Sequence, residues 1–181
     1  MEAAADLFCA HGYDAVSVED IAARGGVSRM TFYRQFSGKA DLAAALFEDS
    51  IVAAMPRLLS IRDADWRNRA AVGAWIAALF ENDRAHRAML RVFTQASVHE
   101  PTFLSAGHAF IERVMAELGR AIPVFAADRD SDRRQWLEAW LLIYELFDQS
   151  NHAALSSGIA TDPLVQDILA DRFLRFVARE S

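Results

Sequence analysis

Residues 17–47 read SVEDIAARGGVSRMTFYRQFSGKADLAAALF, and the spacing of caps, glycines and apolar positions in this stretch decides the fold. Ser17 is placed to cap a helix by accepting from an amide of its first turn, with Val16 and Ile21 flanking that turn as a hydrophobic staple. Ser28 repeats the device, with Val27 and Phe32 as the second staple pair. Between them stands Gly25-Gly26, where a residue free to take positive φ lets the chain reverse tightly. Two capped short helices around a glycine turn, followed by another helix start at Lys39, give the layout of a helix-turn-helix DNA reader.

The second short helix, Arg29 to Gln35, is expected to bury Phe32 and to leave Arg29, Met30, Thr31, Tyr33 and Arg34 outside. These residue types suit DNA: arginine bonds a guanine edge through two donors, threonine meets a thymine methyl or a polar edge, and tyrosine reaches phosphate oxygens. The same residues also suit the solvated face of an ordinary α-hairpin, because a bare helix-turn-helix pattern is not specific.

The match extends further. Leu7 to Leu42, LFCAHGYDAVSVEDIAARGGVSRMTFYRQFSGKADL, resembles the TetR family of bacterial transcriptional regulators. It carries the Leu-Phe to Gly-Tyr end of a first helix, the Ser-Val-x-x-Ile-Ala start of a second, Gly-Val-Ser before the third, and Thr-Phe-Tyr-x-x-Phe-x-x-Lys-x-x-Leu running into a fourth. The resemblance implies that the third helix lies in the major groove, which carries over to Arg29, Met30, Thr31, Tyr33 and Arg34, with Ser28 at its cap. It also implies that Ser17 and Lys39 hold phosphates. The family pattern has a longer first helix preceded by a basic arm, whereas only MEAAAD precedes Leu7 here.

Lys39 has separate support as the single lysine among nineteen basic residues. Such usage suggests a gene of high G+C content. A lone cation at a helix start, where the dipole disfavours it, asks for an anionic partner. Net charge is −6, yet the stretch from Ser17 to Lys39 carries +2 and the remainder −8. An acidic chain with a small basic head argues for a binder using one face, and against a protein that coats nucleic acid or an anionic membrane.

At 181 residues with 53% apolar side chains, the chain exceeds what the reader needs and has material for a second core. Four prolines, eight glycines and the lack of sustained alternation point to an all-α fold. The expected division is a DNA-binding domain over 1–47 and a helical ligand-binding and dimerisation domain over 48–181. Helices are expected over 39–59, 66–80, 84–97, 101–122, 132–155 and 163–178, with Pro56 kinking or ending the first and a polar connection near 125–132. No secretory signal or bilayer-spanning run is apparent, so a cytoplasmic location is expected. The lone Cys9 is expected to pack in the core rather than to act as a redox sensor. No cofactor or metal is expected: Cys-x-x-Cys and His-Glu-x-x-His are missing, and His86, His99 and His108 are scattered.

The segment Trp136 to Phe147, WLEAWLLIYELF, is apolar nearly all round and needs partners on both sides. With the apolar stripe of the last helix, it agrees with the homodimeric four-helix bundle that the resemblance implies, and Trp136, Leu141, Phe173 and Val177 are expected in or beside the interface. Two recognition helices on one DNA face then imply a near-palindromic operator. The resemblance also implies a small-molecule pocket in the middle helices. Trp66, Phe93, Phe110, Trp140 and Tyr144 are assigned to it, with Glu145 as an embedded polar contact, although core packing suits the same aromatics. Glu145, Asp148 and His152 form one polar stripe. The expected function is a ligand-responsive regulator: a repressor that binds operator DNA as a homodimer and is released by a small-molecule inducer, with no membrane partner. The alternative from another class is a helical small-molecule-binding protein or enzyme that retains a non-functional helix-turn-helix head. No nucleophile elbow, phosphate loop or carboxylate pair supports catalysis.

Overall fold

The computed structural model describes residues 1–156 and 158–180, and within them every side chain except those of His99, Pro101, Thr102, Leu104 and Glu180; the His99 reading therefore lies outside it. Among the described residues the chain forms nine α-helices and no strand: α1 Glu2–His11, α2 Val18–Arg24, α3 Arg29–Gln35, α4 Lys39–Leu58, α5 Arg69–Ala85, α6 Arg87–His99, α7 Pro101–Leu118, α8 Arg133–Leu155 and α9 Pro163–Val177. The all-α expectation holds.

The chain divides into two compact units: Met1–Ala53 with His86–Gly107, and Ala54–Ala85 with the chain from His108 onward. This differs from the expected cut after residue 47 because α6 belongs to the first unit. Its Val92, Phe93 and Ala96 are buried together with Phe8, Tyr13, Ile21, Phe32, Leu42 and Leu46. Positions 92, 93 and 96 lie on one helical face, but periodicity does not say which core receives that face. Burying such side chains stabilises the unit by about 1.5–3 kcal/mol each.

The second unit is built on α5, α8 and α9, around Ile76, Phe80, Leu118, Phe125, Ile143, Leu146, Leu169 and Phe173. Trp75 is buried there, and its indole Nε1 donates to the Leu58 carbonyl at 3.1 Å. That bond satisfies a carbonyl at the end of α4, where helices leave acceptors unpaired. α4 ends two residues after Pro56 and passes into a 3-10 turn over Leu59–Asp63, in keeping with the missing proline amide.

Local chemistry explains where element limits differ from expectation. α5 starts at Arg69 rather than near Trp66, because the Asn68 side chain accepts from the amides of Ala70 and Ala71. α7 stops at Leu118, and a Cβ on Gly119 would sit 3.0 Å from the backbone of Ala126. The close approach brings the 3-10 turn Pro123–Ala126 inward, so Phe125 is a core residue and not part of a polar connection. The polar turn itself forms around Asp128, whose carboxylate accepts from Asp130 N, Ser131 N and Ser131 Oγ.

Candidate nucleic-acid interface

The first unit presents α2, a glycine turn and α3. Ser17 Oγ accepts from Asp20 N at 3.1 Å while the Asp20 carboxylate accepts from Ser17 N at 2.9 Å, which completes a capping box. Ser17 Oγ also donates to that carboxylate at 2.5 Å. These bonds hold the Asp20 carboxyl below the usual carboxylate range, the Ser17 hydroxyl contributing most and the Ser17 amide next. Val16 and Ile21 are both buried, as the first staple requires.

At the turn, Gly26 takes φ of +64°, the left-handed conformation that glycine adopts without a Cβ penalty. Ser28 then caps α3 by accepting from Thr31 N at 3.1 Å, and the hydroxyls of Ser28 and Thr31 lie 3.0 Å apart. The second staple is only half made: Phe32 is buried, whereas Val27 is 44% exposed. Phe32 anchors α3 by itself, with edge contact to Tyr33 at 5.4 Å and a tilted contact to Phe36 at 5.7 Å between ring centroids.

The outer face of α3 carries the expected residues. Met30 is 83% exposed and Tyr33 48%, Arg34 is exposed, and Thr31 is half-buried. Arg29 is exposed but paired with Glu19 of α2 at 2.7 Å. Lys39, at the start of α4, has a partner that sequence reasoning did not find. Its Nζ donates to the Tyr13 carbonyl at 2.8 Å and lies 4.2 Å from the centroid of the Tyr13 ring. A carbonyl oxygen and an aromatic face thus offset the unfavourable helix-start position from within. Tyr13 N in turn donates to Gln95 Oε1 of α6 at 2.8 Å. No pattern within the helix-turn-helix stretch points to Gln95, because the contact joins distant segments.

The six residues assigned to a ligand pocket fall in both units. Phe93 is buried in the first unit beside Phe47, 4.9 Å between centroids. Trp66, Phe110 and Trp140 are half-buried against the core of the second unit. Tyr144 is 42% exposed and stacks on Trp140 at 5.1 Å. Glu145 is not embedded; it pairs with Arg172 of α9 at the surface. His152 Nδ1 lies 3.0 Å from the Asp148 carbonyl, and no group of His, Cys, Asp or Glu among the described residues is arranged to hold a metal. Cys9 is exposed rather than packed; partial burial, and then the nearby Asp6, raise its thiol pKa.

The interface assignments divide in the same way. Phe173 and Val177 are interior to the second unit, at 0% and 1% exposure, and Phe173 meets the rings of Trp75 and Phe125. They are corrected to core residues. Trp136 is half-buried beneath the Arg129 guanidinium. Leu141 is exposed, on a face with Leu137 and Tyr144 of α8, and α9 exposes Leu164 and Ile168. No helix among the described residues is long and apolar enough to cross a membrane.

The first unit is thus a helix-turn-helix whose third helix is anchored by one phenylalanine and presents a polar and cationic outer face. Residues 1–46 match the family described as bacterial regulatory proteins, tetR family. Over 103 residues, 55% of this chain, the sequence is 32% identical to the HTH-type transcriptional activator FasR of Mycolicibacterium smegmatis; the match spans 46% of that relative, so the chain covers about half its length. The fold is similar to a TetR-family regulator from Mesorhizobium loti, TM-score 0.63 at 19% identity over 98% of this chain and 92% of that one. It is also similar to the fatty acid degradation regulator FadR from Bacillus halodurans, TM-score 0.57 at 16% identity over 96% and 91%. Residues 1–46 thus carry the sequence of the TetR family of bacterial regulatory proteins, and the chain's fold is similar to that of solved TetR-family regulators.

Proposed function

We propose that the protein is a homodimeric, ligand-responsive transcriptional regulator that binds a near-palindromic operator and, as a repressor, is released by a small-molecule inducer. The observation that carries this reading is the outer face of α3, where Arg29, Met30, Tyr33 and Arg34 stand exposed on a helix fixed by Ser28 and Phe32. Arg29 must leave Glu19 to read a base. An exposed ion pair is worth about 0.2–1 kcal/mol, less than the roughly 1–3 kcal/mol of a bidentate base contact, so the base wins. Lys39 spends one ammonium donor on Tyr13 and keeps others for a phosphate.

Self-association is supported by the exposed Leu137, Leu141, Tyr144, Leu164 and Ile168, an apolar set that a second copy of the same face would cover. For an inducer, the half-buried Trp66, Phe110 and Trp140 of the second unit are the side chains at hand. A ligand that favours one of two dimer states by about 1–3 kcal/mol changes operator affinity roughly 5–150-fold. A second reading, activation from the same DNA site, is favoured by the relative FasR, which is an activator.

Binding-site selection with the purified protein tests the DNA reading. Lys39→Ala is expected to weaken binding to all sequences and to lower the salt slope by about one, whereas Arg29→Ala relaxes preference at one operator position. Identical sequence preferences and salt slopes in both variants would refute these roles. A promoter-reporter assay separates the two regulatory readings, since deletion of the protein raises transcription under repression and lowers it under activation.

A further inference from the structure

Within the first unit, α1 and α6 enclose a cleft of about 280 Å³ whose lining includes Phe8, Cys9, His11, Arg87, Arg91 and Gln95. Arg87 and Arg91 are one helical turn apart and share a face of α6. Both are exposed, and neither is paired with a carboxylate among the described residues. Arg87 is also the first residue of α6, where the helix dipole disfavours a cation. Two like charges stand one turn apart on this face, one of them at the wrong helix end, with no ion-pair partner among the described residues to offset them. The nearby acid Asp6 faces Arg24 at 3.8 Å.

The rest of the lining suits an anion with a small apolar body. Phe8 and Val92 give a buried hydrocarbon floor, each 1% exposed. Cys9 holds its proton more tightly than a free thiol, so it adds no thiolate charge to repel an anion. Gln95 uses its Oε1 to accept from Tyr13 N, and its amide NH2, with no protein acceptor, is a donor for the cleft. Arginine forks match phosphate and carboxylate oxygens in pairs.

We propose that the α1–α6 cleft is a binding site for a small organic oxyanion, a phosphate or carboxylate on a short apolar body, held by Arg87 and Arg91 with Gln95 and His11 as further donors. The site is separate from any ligand site of the second unit. Gln95 holds the amide of Tyr13 and Lys39 holds its carbonyl, so Gln95 stands two hydrogen bonds from the start of α4.

The test uses phenyl phosphate and the full chain, in the absence of DNA and at low salt. Calorimetric titration is expected to show saturable binding that falls at least tenfold in the Arg87→Ala/Arg91→Ala double variant. Arg57→Ala, which removes an exposed arginine of the second unit, should bind as the parent does. Alkylation of Cys9 by neutral iodoacetamide should be slowed by phenyl phosphate in the parent and unaffected by it in the double variant. Far-UV circular dichroism checks that the double variant is folded, and the single variants Arg87→Lys and Arg91→Lys, which keep the charge but lose the paired donors, should bind more weakly than the parent and more tightly than the double alanine variant. Binding that is absent in the parent, or equal in the double variant, overturns the proposal. So does a double variant that binds phenyl phosphate normally but has a DNA salt slope lowered by about two, which would place both arginines in a DNA footprint.

Discussion

The head and the second unit are held together by different means. In the head, α2 and α3 have seven residues each and are too short to persist alone; caps, a glycine turn and single anchors such as Phe32 fix them. In the second unit, α8 has 23 residues and α9 has 15, and their stability comes from interdigitated side chains such as Phe173, which meets Trp75 at 5.3 Å and Phe125 at 5.9 Å between ring centroids. Helices α2 and α3 depend on hydrogen bonds within a few residues of sequence to fix their ends. A packed unit depends on contacts that no short window contains.

The largest effect that tests this contrast lies in the second unit. Phe173→Ala removes a fully buried ring and is expected to cost about 3–5 kcal/mol in denaturant unfolding. Leu141→Ala, on the exposed face of the preceding helix α8, should change protomer stability by less than about 0.5 kcal/mol while weakening self-association in light scattering. Equal losses of protomer stability in the two variants would break the division of α8 and α9 into an inner and an outer face.

In the head the effects are smaller and local. Ser17→Ala loses one side of a capping box and should cost about 1 kcal/mol. Gly26→Ala should cost about 1–2 kcal/mol through the left-handed backbone alone, because a Cβ there meets nothing within 4 Å. Hydrogen exchange should show faster opening of the α2 and α3 amides in both variants, with α8 and α9 protected as before. If either variant opened α8 and α9 as much as α2 and α3, the head would not be an independent capped unit.

The same contrast explains which features were legible in the sequence. Ser17, Gly26, Ser28 and Phe32 act through neighbours a few residues away, so their roles follow from spacing. Even there Val27 misleads, since a staple needs a surface to close on and α3 offers Val27 none that excludes water. The spacing of Phe93, Phe173 and Val177 marks buried helix positions but does not separate a core from a ligand pocket or an interface, because periodicity identifies a buried face and not its partner. Glu145 shows the limit most clearly. Flanked by Tyr144 and Leu146 it reads as a carboxylate in the core, yet the helix turns it to Arg172 of α9, 27 residues on in the chain.

The smallest expected effects separate the two regions by acid and salt. In the head, Asp20 is held below the usual carboxylate range by the hydroxyl and amide of Ser17. In the second unit, Glu138 is lowered first by its hydrogen bond from Arg179, with the charges of Arg179 and Arg134 adding to it. For both groups the folded pKa lies below the unfolded value, so their stabilisation is full above the unfolded carboxylate pKa of about 4 and is lost as pH falls through the folded value. Urea midpoints followed from neutral to about pH 3 should therefore fall in acid, and Asp20→Asn and Glu138→Gln should each flatten part of that fall. Salt distinguishes the two causes. At about 0.5 M salt the Debye length drops to a few ångströms, which screens the exposed Glu138–Arg179 pair but leaves the Ser17–Asp20 hydrogen bonds in place. The Glu138→Gln difference should shrink with salt while the Asp20→Asn difference persists; the reverse order would show that the head also rests on long-range charge rather than on its caps.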